Sequence, residues 1–246
     1  MRRLEVLAVE GLPEVHPGDD LARLITSHVS LEAGDVVVVA QKVVSKAEGR
    51  MRRLSDVVAG DEARRIAPTL IADPDPRFVQ VVLDESARVV RSSRVLITET
   101  RHGFVSANGG VDHSNVPGDD VITLLPEDPD ASARALRDRL QELTGVEVGV
   151  VISDTFGRPW RLGIVNVALG LAGVPAVRDL RGTVDDVGKD LRATVLAVAD
   201  DLAAAAGLVM AKTNRTPVVL IRGFDGVGED GAGRDVVRPA AEDLFR

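Results

Sequence analysis

Two short runs rich in β-branched residues constrain the fold of this chain more than any other feature. Val36–Ala40 has the sequence VVVVA, and residues 146–152 have the sequence VEVGVVI. Apolar runs of this length are typical of strands that are buried on both faces of a sheet. The first run leads into the polar residues 41–46, and the second leads into Ser153-Asp154-Thr155. The pattern therefore predicts two buried strands, each of which delivers polar side chains at its end.

The rest of the chain predicts an irregular alternation of strands and helices. Further strands are expected at residues 4–9, 79–83, 95–98, 103–107 and 218–221, and helices at 21–28, 56–70, from 130 or 132 to 143, and 191–206. The glycine- and charge-rich residues 225–234 predict a mobile loop. Without an internal repeat or a low-complexity linker, this order indicates an α+β or mixed α/β protein.

Composition excludes several classes of function. The 246 residues suit one large domain or two closely joined ones. The chain has no cysteine, which rules out disulfides, thiolate nucleophiles and cysteine-based zinc sites. A net charge of −8 and only 2% aromatic residues argue against nucleic acid as a partner. No stretch approaches the ~20 apolar residues of a membrane span, so we expect no membrane association and a cytoplasmic location.

The common phosphate-binding and hydrolase motifs are missing, which leaves two aspartates as the main candidates for chemistry. Neither a GxxxxGK[ST] loop nor a GxSxG or HExxH motif occurs. Asp112 and Asp154 each lie where a loop is expected to follow a strand, and Thr155 is adjacent to Asp154. Such oxygen donors suit Mg²⁺ or Mn²⁺ bound together with a substrate's phosphates. The residues alone leave open the alternative that both aspartates shape turns or cap helices.

Basic and aromatic residues accompany these aspartates. Arg158, Trp160 and Arg161 follow Asp154 and would suit an anionic, aromatic substrate, although Trp160 could equally be a core anchor. Lys42 and Lys46 follow the first buried run. Lys46 could reach phosphate oxygens, or the two lysines could form a solvated basic face.

Five segments in the same order resemble the coenzyme F420-0:gamma-glutamyl ligase family. They are GLPEVHPGDDL (11–21), GDVVVVAQKVVSKAEGR (34–50), GVDHSNVPG (110–118), VVISDTFGRPWRLGIVNVALG (150–170) and AVADDLAAAAGLVMAKTNRTPVVLIRGF (197–224). The likeness is greatest to the N-terminal ligase half of the actinobacterial bifunctional form. The resemblance implies one α+β domain over residues 1–246, an intertwined homodimer, and absence of the C-terminal nitroreductase-like flavin domain.

The resemblance also implies a reaction. In this family GTP phosphorylates the terminal carboxylate of the F420 precursor, and the amine of L-glutamate then displaces phosphate to form an amide. Repetition extends a γ-linked polyglutamate tail. The expected partners are F420-0 and its glutamylated forms, L-glutamate and GTP, and the expected ions are two Mg²⁺ or Mn²⁺. The resemblance leaves open a separate flavin protein as a further partner and K⁺ as a further ion. Charge offset by metal ions and cations is what phosphoryl transfer needs most.

Site residues follow from the resemblance position by position. Asp112 and Asp154 match ligands of one divalent ion and Thr155 a ligand of a second, and with Lys46 the two aspartates are the expected catalytic residues. Nucleotide contacts are expected from Leu12, Pro13, Glu14, Val15, Gln41, Lys46, Asn115, Met210, Ala211, Lys212 and Thr213. Lys212 stands where some relatives have a metal-contacting glutamine, so we assign no metal to it. Gln41 stands where some relatives have serine.

Three other functions remain open at this level. The chain could be a related ligase with a different acceptor or amino acid, a non-catalytic F420-binding subunit, or an unrelated metal phosphatase. The combination of Asp112, Asp154, Thr155 and Lys46 argues against a pure binding protein, because binding alone does not need two metal-binding carboxylates.

Overall fold

The computed structural model describes residues 3–72, 74–113, 118, 120–210 and 215–243. It confirms the α+β class with a mixed sheet. The helices are α1 (Leu21–Thr26), α2 (Gln41–Ala47), α3 (Asp61–Ile66), α4 (Pro76–Asp84), α5 (Pro129–Thr144) and α6 (Val198–Met210). The strands are β1 (Glu5–Ala8), β2 (Val36–Ala40), β3 (Met51–Arg53), β4 (Ser86–Ser93), β5 (Val95–Thr100), β6 (Val105–Ala107), β7 (Val121–Thr123), β8 (Gly149–Arg158), β9 (Arg161–Ala172), β10 (Arg178–Asp179), β11 (Val195–Leu196) and β12 (Val218–Arg222).

The two predicted buried strands are neighbours in the main sheet. This sheet has five strands in the order β1-β12-β2-β8-β9. β2 and β8 are parallel, with Val36 opposite Gly149 and Ala40 opposite Ser153, whereas the other neighbours are antiparallel. Because β2 and β8 are parallel, their carboxyl ends lie at the same edge of the sheet.

Both faces of β2 and β8 are covered, which explains their continuous apolar sequences. Val37 and Val39 belong to the core beneath α1 and α5, while Val36 and Val38 belong to the core beneath α6. Successive side chains of a strand point to opposite faces, so a strand between two cores needs apolar residues at every position. α5 reaches this face as the sequence predicts: Asp128 caps its first turn, and Gly145 ends it in the left-handed conformation (φ 74°).

A smaller lobe follows β2 in the chain and carries one end of the candidate site. It contains the β4-β5-β6 sheet, the β3-β7 pair and helices α3 and α4. Its core includes Phe78, Leu96, Ile122 and Leu124. Asp112 is attached to this lobe, because it forms its backbone bridge with Thr123 in β7.

Several predicted elements differ from the structure. Residues 79–83 were expected to be a strand but lie in α4, where Asp75 caps the helix and Pro76 occupies its first turn. A short apolar run is ambiguous by periodicity alone, and the cap decides it. The helix expected at 191–206 begins only at Val198, because Val195–Leu196 pairs with β10. The helix expected at 56–70 is limited to α3, with 3-10 turns on either side.

The tail expected to be a mobile loop is instead attached to the main sheet. Asp230 Oδ1 accepts hydrogen bonds from Gly173 N at 2.7 Å and from Arg137 at 2.9 Å. Gly233 N donates to Asp130 Oδ1 at 2.8 Å. Glycine in this tail permits close packing rather than motion, since a Cβ at Gly233 would lie 1.9 Å from the Leu169 carbonyl oxygen.

Across the part of the chain that the structure describes, no helix is long and apolar enough to cross a membrane.

Candidate functional site

One edge of the main sheet collects most of the segments that the sequence singled out. β2 ends at Ala40 and leads directly into α2, and Ser153, opposite Ala40, precedes Asp154. Ala40 N donates to Pro217 O at 2.8 Å, which brings in the residues that follow α6. Val9 N donates to Val218 O at 2.9 Å, which brings in the chain that continues to Val15. The carboxyl ends of parallel strands are a common position for ligand sites.

Lys46 lies at this edge with its side chain only 7% exposed. It is in the last turn of α2 and forms an ion pair with Glu14 Oε1. The Glu14 side chain is 54% exposed, so solvent reaches the carboxylate while the lysine is covered. A buried ammonium needs an anionic partner, and Glu14 supplies one from the predicted nucleotide segment. The residues around Glu14 hold this segment against the protein, because Val15 is buried and Leu12 packs against the core under α1. Pro13 is exposed.

Asp112 is held more firmly than a loop residue would be. Its backbone N and O bond to the O and N of Thr123 at 3.1 and 2.9 Å, forming an isolated bridge beside β7. Its carboxylate Oδ2 accepts a hydrogen bond from Lys42 Nζ at 2.6 Å. Lys42 is therefore not part of a solvated basic face, because its ammonium faces a predicted catalytic aspartate. The Lys42 ion pair links Asp112 of the small lobe to the first turn of α2.

Asp154 and Thr155 were expected in a loop, and this expectation is wrong. β8 continues through both residues to Arg158, with Asp154 opposite Val167 and Thr155 opposite Asn166 in β9. The strand continues because β9 supplies a long antiparallel partner, which the local sequence does not reveal. Alternation along the strand then places the Asp154 and Thr155 side chains on opposite faces.

The two faces of β8 differ in their neighbours. On the Thr155 face, Asn166 Nδ2 donates to Met210 Sδ at 3.4 Å, next to the end of α6. Asn166 also fills the space that Gly207 leaves open, since a Cβ there would lie 3.1 Å from it. On the Asp154 face, Phe156 packs with Phe104 of the small lobe. The assignment of Asp154 and Thr155 to different ions stays a prediction.

The donor set fits hard divalent cations. The described residues contain no group of three or more histidine, aspartate or glutamate side chains placed to hold a metal. Asp112, Asp154 and Thr155 offer only carboxylate and hydroxyl oxygen, and Mg²⁺ and Mn²⁺ commonly bind one or two carboxylates and complete their shells with water and substrate phosphates. The Asp112 carboxylate forms an ion pair with the ammonium of Lys42.

Two buried polar groups at this edge were not fully anticipated. Gln41 is 1% exposed; its Oε1 accepts a hydrogen bond from Ser45 Oγ at 2.9 Å, while its Nε2 has no partner among the described residues. The Ser153 Oγ, also buried, lacks a partner within the same part of the chain. Ser153 could have been noticed in the sequence as the first polar residue after an apolar run. Unpaired buried polar atoms are uncommon and mark a place where a ligand atom can be received.

The residues that remain lie in different parts of the molecule, and His113 among them has no role assigned from the sequence. Trp160 is 71% exposed, so its interpretation as a core anchor is wrong, and it lies with Arg158 and Arg161 at the outer end of the β8–β9 hairpin. His113 stacks on Phe78 with ring centroids 4.6 Å apart, which gives it a packing role in the small lobe. Met210 ends α6 beside the edge. Asn115, Ala211, Lys212 and Thr213 lie outside the described residues.

A cavity of about 240 Å³ lies beside β9. Phe104, Phe156 and Val167 line it together with the carboxyl group of Asp200. Burial raises the pKa of Asp200 above its ordinary value, against the opposing effect of a hydrogen bond from Ala168 N at 2.9 Å. β9 is the last strand of the main sheet, and the Asp200 carboxylate accepts a hydrogen bond from its Ala168 N–H. Without this contact, the N–H group would be open to pairing with another chain.

Comparisons with known proteins cover the segments described above. The profile of the family described as F420-0:Gamma-glutamyl ligase matches residues 11–223. A protein of Haloarcula marismortui named coenzyme F420:L-glutamate ligase is 47% identical over 99% of this chain and 96% of its own length. Proteins of the same name from Methanopyrus kandleri and Methanothermobacter thermautotrophicus are 46% and 44% identical, over 100% and 99% of this chain and 100% and 99% of their own lengths.

Proposed function

This chain belongs to the F420-0:gamma-glutamyl ligase family, and from that premise we propose that it is a GTP-dependent ligase that adds L-glutamate to the F420 precursor and extends its γ-linked glutamate tail. The observation that supports this most is the meeting of the segments at one sheet edge. Glu14, Lys46, Asp154 and Pro217 come from four separate parts of the sequence, and the ends of β2, β8 and β12 assemble them.

The proposed reaction has two steps. The terminal carboxylate of the acceptor attacks the γ-phosphorus of GTP, which forms an acyl phosphate and releases GDP. The amine of L-glutamate then attacks the acyl carbon, forming the amide and releasing phosphate, and the amine loses a proton. Neither step needs a covalent enzyme nucleophile, consistent with a chain that has no cysteine. Each round leaves a new terminal carboxylate, so the same site can act again.

Lys46 is the residue best placed to bind phosphate. Its ammonium is covered by protein but held by a partly exposed glutamate, so an incoming phosphate can take over the position of the Glu14 carboxylate. Held in a site from which water is largely excluded, a lysine stabilises negative charge on the transferring group more strongly than it does in water. The segment from Leu12 to Val15, held by buried Val15 and partly buried Leu12, is proposed to lie along the nucleotide.

Asp112 and Asp154 are proposed to hold one divalent ion and Thr155 a second, and these ions, when bound, would offset charge on the phosphates. The chain's own contribution is rigidity. Asp112 is fixed through its backbone bridge to Thr123, and Asp154 and Thr155 are fixed by the β8–β9 ladder. Such fixed donors cost little reorganisation during the reaction.

Incubation of the protein with F420-0, GTP, L-glutamate and Mn²⁺, followed by mass spectrometry, tests the proposal. The expected products carry one or more added glutamates and form with stoichiometric release of GDP and phosphate. Replacing GTP by ATP, omitting glutamate, and exchanging K⁺ for Na⁺ define the requirements. Binding of F420-0 without turnover would indicate a non-catalytic subunit. Phosphate release that ignores glutamate would indicate a phosphatase, and turnover only with another acceptor would indicate a related ligase.

A homodimer is the second part of the proposal. The outer half of the β8–β9 hairpin exposes large apolar side chains in sequence positions where a monomer would place polar ones: Trp160 is 71%, Leu162 98% and Ile164 55% exposed. Neighbouring exposed apolar residues on a projecting hairpin are typical of an interface.

Light scattering coupled to size-exclusion chromatography measures the oligomeric state. We expect twice the mass of the chain for the wild type and the monomer mass for Leu162→Asp, because an aspartate on this face would lose its hydration in an interface. Val58→Asp, at an exposed apolar position of the small lobe, is the matched control and should keep the wild-type mass. A monomeric wild type would contradict the dimer without affecting the assigned reaction.

A further inference from the structure

Lys42 is the one lysine of α2 that contacts a proposed metal ligand. Its side chain is 16% exposed, and Nζ lies 2.6 Å from Oδ2 of Asp112. This distance is that of a charge-assisted hydrogen bond, which is stronger than a bond between neutral groups. The contact joins residues 70 positions apart, so it depends on how the small lobe is placed against the main sheet.

The two partners differ in how firmly they are held. Asp112 bonds to Thr123 through backbone N and O, and Thr123 Oγ1 donates to the Asp112 carbonyl at 3.2 Å. The carboxylate therefore projects from a fixed backbone on a short side chain. Lys42 instead reaches it through a flexible four-carbon stem from the first turn of α2. If another cation replaces the ammonium at Asp112, the Lys42 side chain moves and the aspartate stays in place.

We propose that Lys42 is a placeholder cation on Asp112, which neutralises this carboxylate in the metal-free protein and which a divalent cation must displace or tolerate in order to bind. The inference rests on the proposed function, because that is what assigns a metal to Asp112. A carboxylate has two oxygens, so an ion on Oδ1 would still lie within a few ångströms of the ammonium on Oδ2. Repulsion between the two cations then weakens metal binding in either geometry.

The placeholder adds a positive charge beside the Asp112 carboxylate and joins the small lobe to α2 through a side-chain contact. It also sets a threshold, because only a cation of sufficient charge density can compete with the ammonium. Lys42 is thus a positioning residue that acts through Asp112, and its effect on metal affinity has the opposite sign to that of a ligand.

Direct Mn²⁺ titration without nucleotide, by calorimetry or by the electron paramagnetic resonance signal of free Mn²⁺, tests the inference. Lys42→Met keeps most of the stem and removes the charge. We expect its Mn²⁺ dissociation constant to be lower than that of the wild type by about tenfold or more, because an adjacent positive charge has been removed. Lys42→Arg keeps the charge and should remain within about threefold of the wild type.

Two further variants define the outcome. Lys189→Met makes the same substitution at an exposed lysine in the segment between β10 and β11 and should leave the Mn²⁺ affinity unchanged. Adding Asp112→Asn to Lys42→Met should abolish the gain, because the carboxylate that receives the ion is then absent. Circular dichroism and thermal unfolding without metal confirm that each variant is folded.

Unchanged or weaker Mn²⁺ binding by a folded Lys42→Met protein would overturn the inference, since a merely structural lysine predicts that direction. Absence of binding by both wild type and Lys42→Met up to millimolar Mn²⁺ would overturn it as well. The ligase reaction is measured separately. Tighter Mn²⁺ binding in a protein that forms no glutamylated product would support the placeholder and refute the assigned reaction.

Discussion

The two halves of the β8–β9 hairpin share the same strands and the same antiparallel ladder but have very different surroundings. The inner half, Gly149 to Ser153 with Ala168 to Ala172, is buried between α5 and α6. The outer half, from Thr155 and Val167 to the turn, is half-buried or exposed. An irregularity in the register between Ile152 and Ser153 marks the junction. Asp154 follows this irregularity, so the residue proposed for the chemistry lies where the buried half of the hairpin ends.

This difference indicates that the two halves of the hairpin have different roles. In the inner half every position is fixed by close contact, and a Cβ at Gly170 would lie 2.1 Å from the Pro129 carbonyl oxygen. In the outer half the side chains are half-buried or exposed, so more of them are accessible to substrates, ions or another subunit. The inner half therefore determines stability, and the outer half is available for function.

Substitution at the junction is expected to have the largest effect. Asp154→Asn removes a charged donor but keeps the shape of the side chain and the backbone pairing with Val167. Loss of about 4 kcal/mol of transition-state stabilisation lowers turnover about a thousandfold. Glutamate-dependent GDP release measures turnover, and urea unfolding measures stability, which should change by less than about 1 kcal/mol.

Asp61→Asn is the control for this change, because the Asp61 carboxylate is fully exposed in α3 and should affect neither quantity. If Asp154→Asn retains wild-type turnover, the assignment of Asp154 to the chemistry is wrong. A large loss of stability without a loss of turnover would show that Asp154 contributes to stability, as the residues of the inner half do.

A pair of glycine substitutions tests the comparison itself. Gly170→Ala in the inner half forces a methyl group against Pro129 and should lower the free energy of unfolding by about 3 kcal/mol. Gly157→Ala in the outer half meets no atom within 4 Å and should change it by less than about 0.5 kcal/mol. Urea midpoints measure both. Equal effects at the two positions would contradict the division between the halves.

The smallest expected effect concerns Asp200, which bonds to Ala168 N at the junction. Its pKa is raised by burial, so the folded state binds a proton more tightly than the unfolded state does. Stability contributed by this group therefore increases as pH falls from above the folded pKa towards the ordinary value of 3.8, below which it is constant.

Asp200→Asn keeps an oxygen acceptor and removes the charge. It should stabilise the protein at pH 7 by less than about 1 kcal/mol, because the group is partly screened by solvent. The difference from the wild type should vanish as pH falls through the folded pKa. A difference in urea midpoint that persists unchanged to pH 3.5 would show that the charge is not its cause.

Local sequence predicted part of this fold well. Val36–Ala40 is a buried strand as its composition indicates, and α5 ends at Gly145 as expected. It failed where a distant partner or a cap decided the outcome. Residues 79–83 have the composition of a strand but follow Asp75 and Pro76, which begin a helix, and Asp154 appeared to be in a loop because its ladder partner is more than ten residues away.

The candidate site shows the same limits. Resemblance supplied Asp112, Asp154, Thr155 and Lys46 as individual residues, and their proposed roles remain predictions. It did not supply Lys42 as a partner of Asp112, nor Ser153 as a buried hydroxyl that has no partner among the described residues. Such contacts depend on the relative placement of segments far apart in the chain, which no local pattern records.

The sequence by itself determined the family, the absence of thiol chemistry and the two strands at the centre of the sheet, because these depend on residue identity and on order along the chain. Only the tertiary structure decided which charges neutralise each other and which face of β8 each side chain takes. The physical reason is that pairing and burial are set by distances in space. The ion pair between Lys42 and Asp112 arises only once the parallel strands and the small lobe have brought the two residues together.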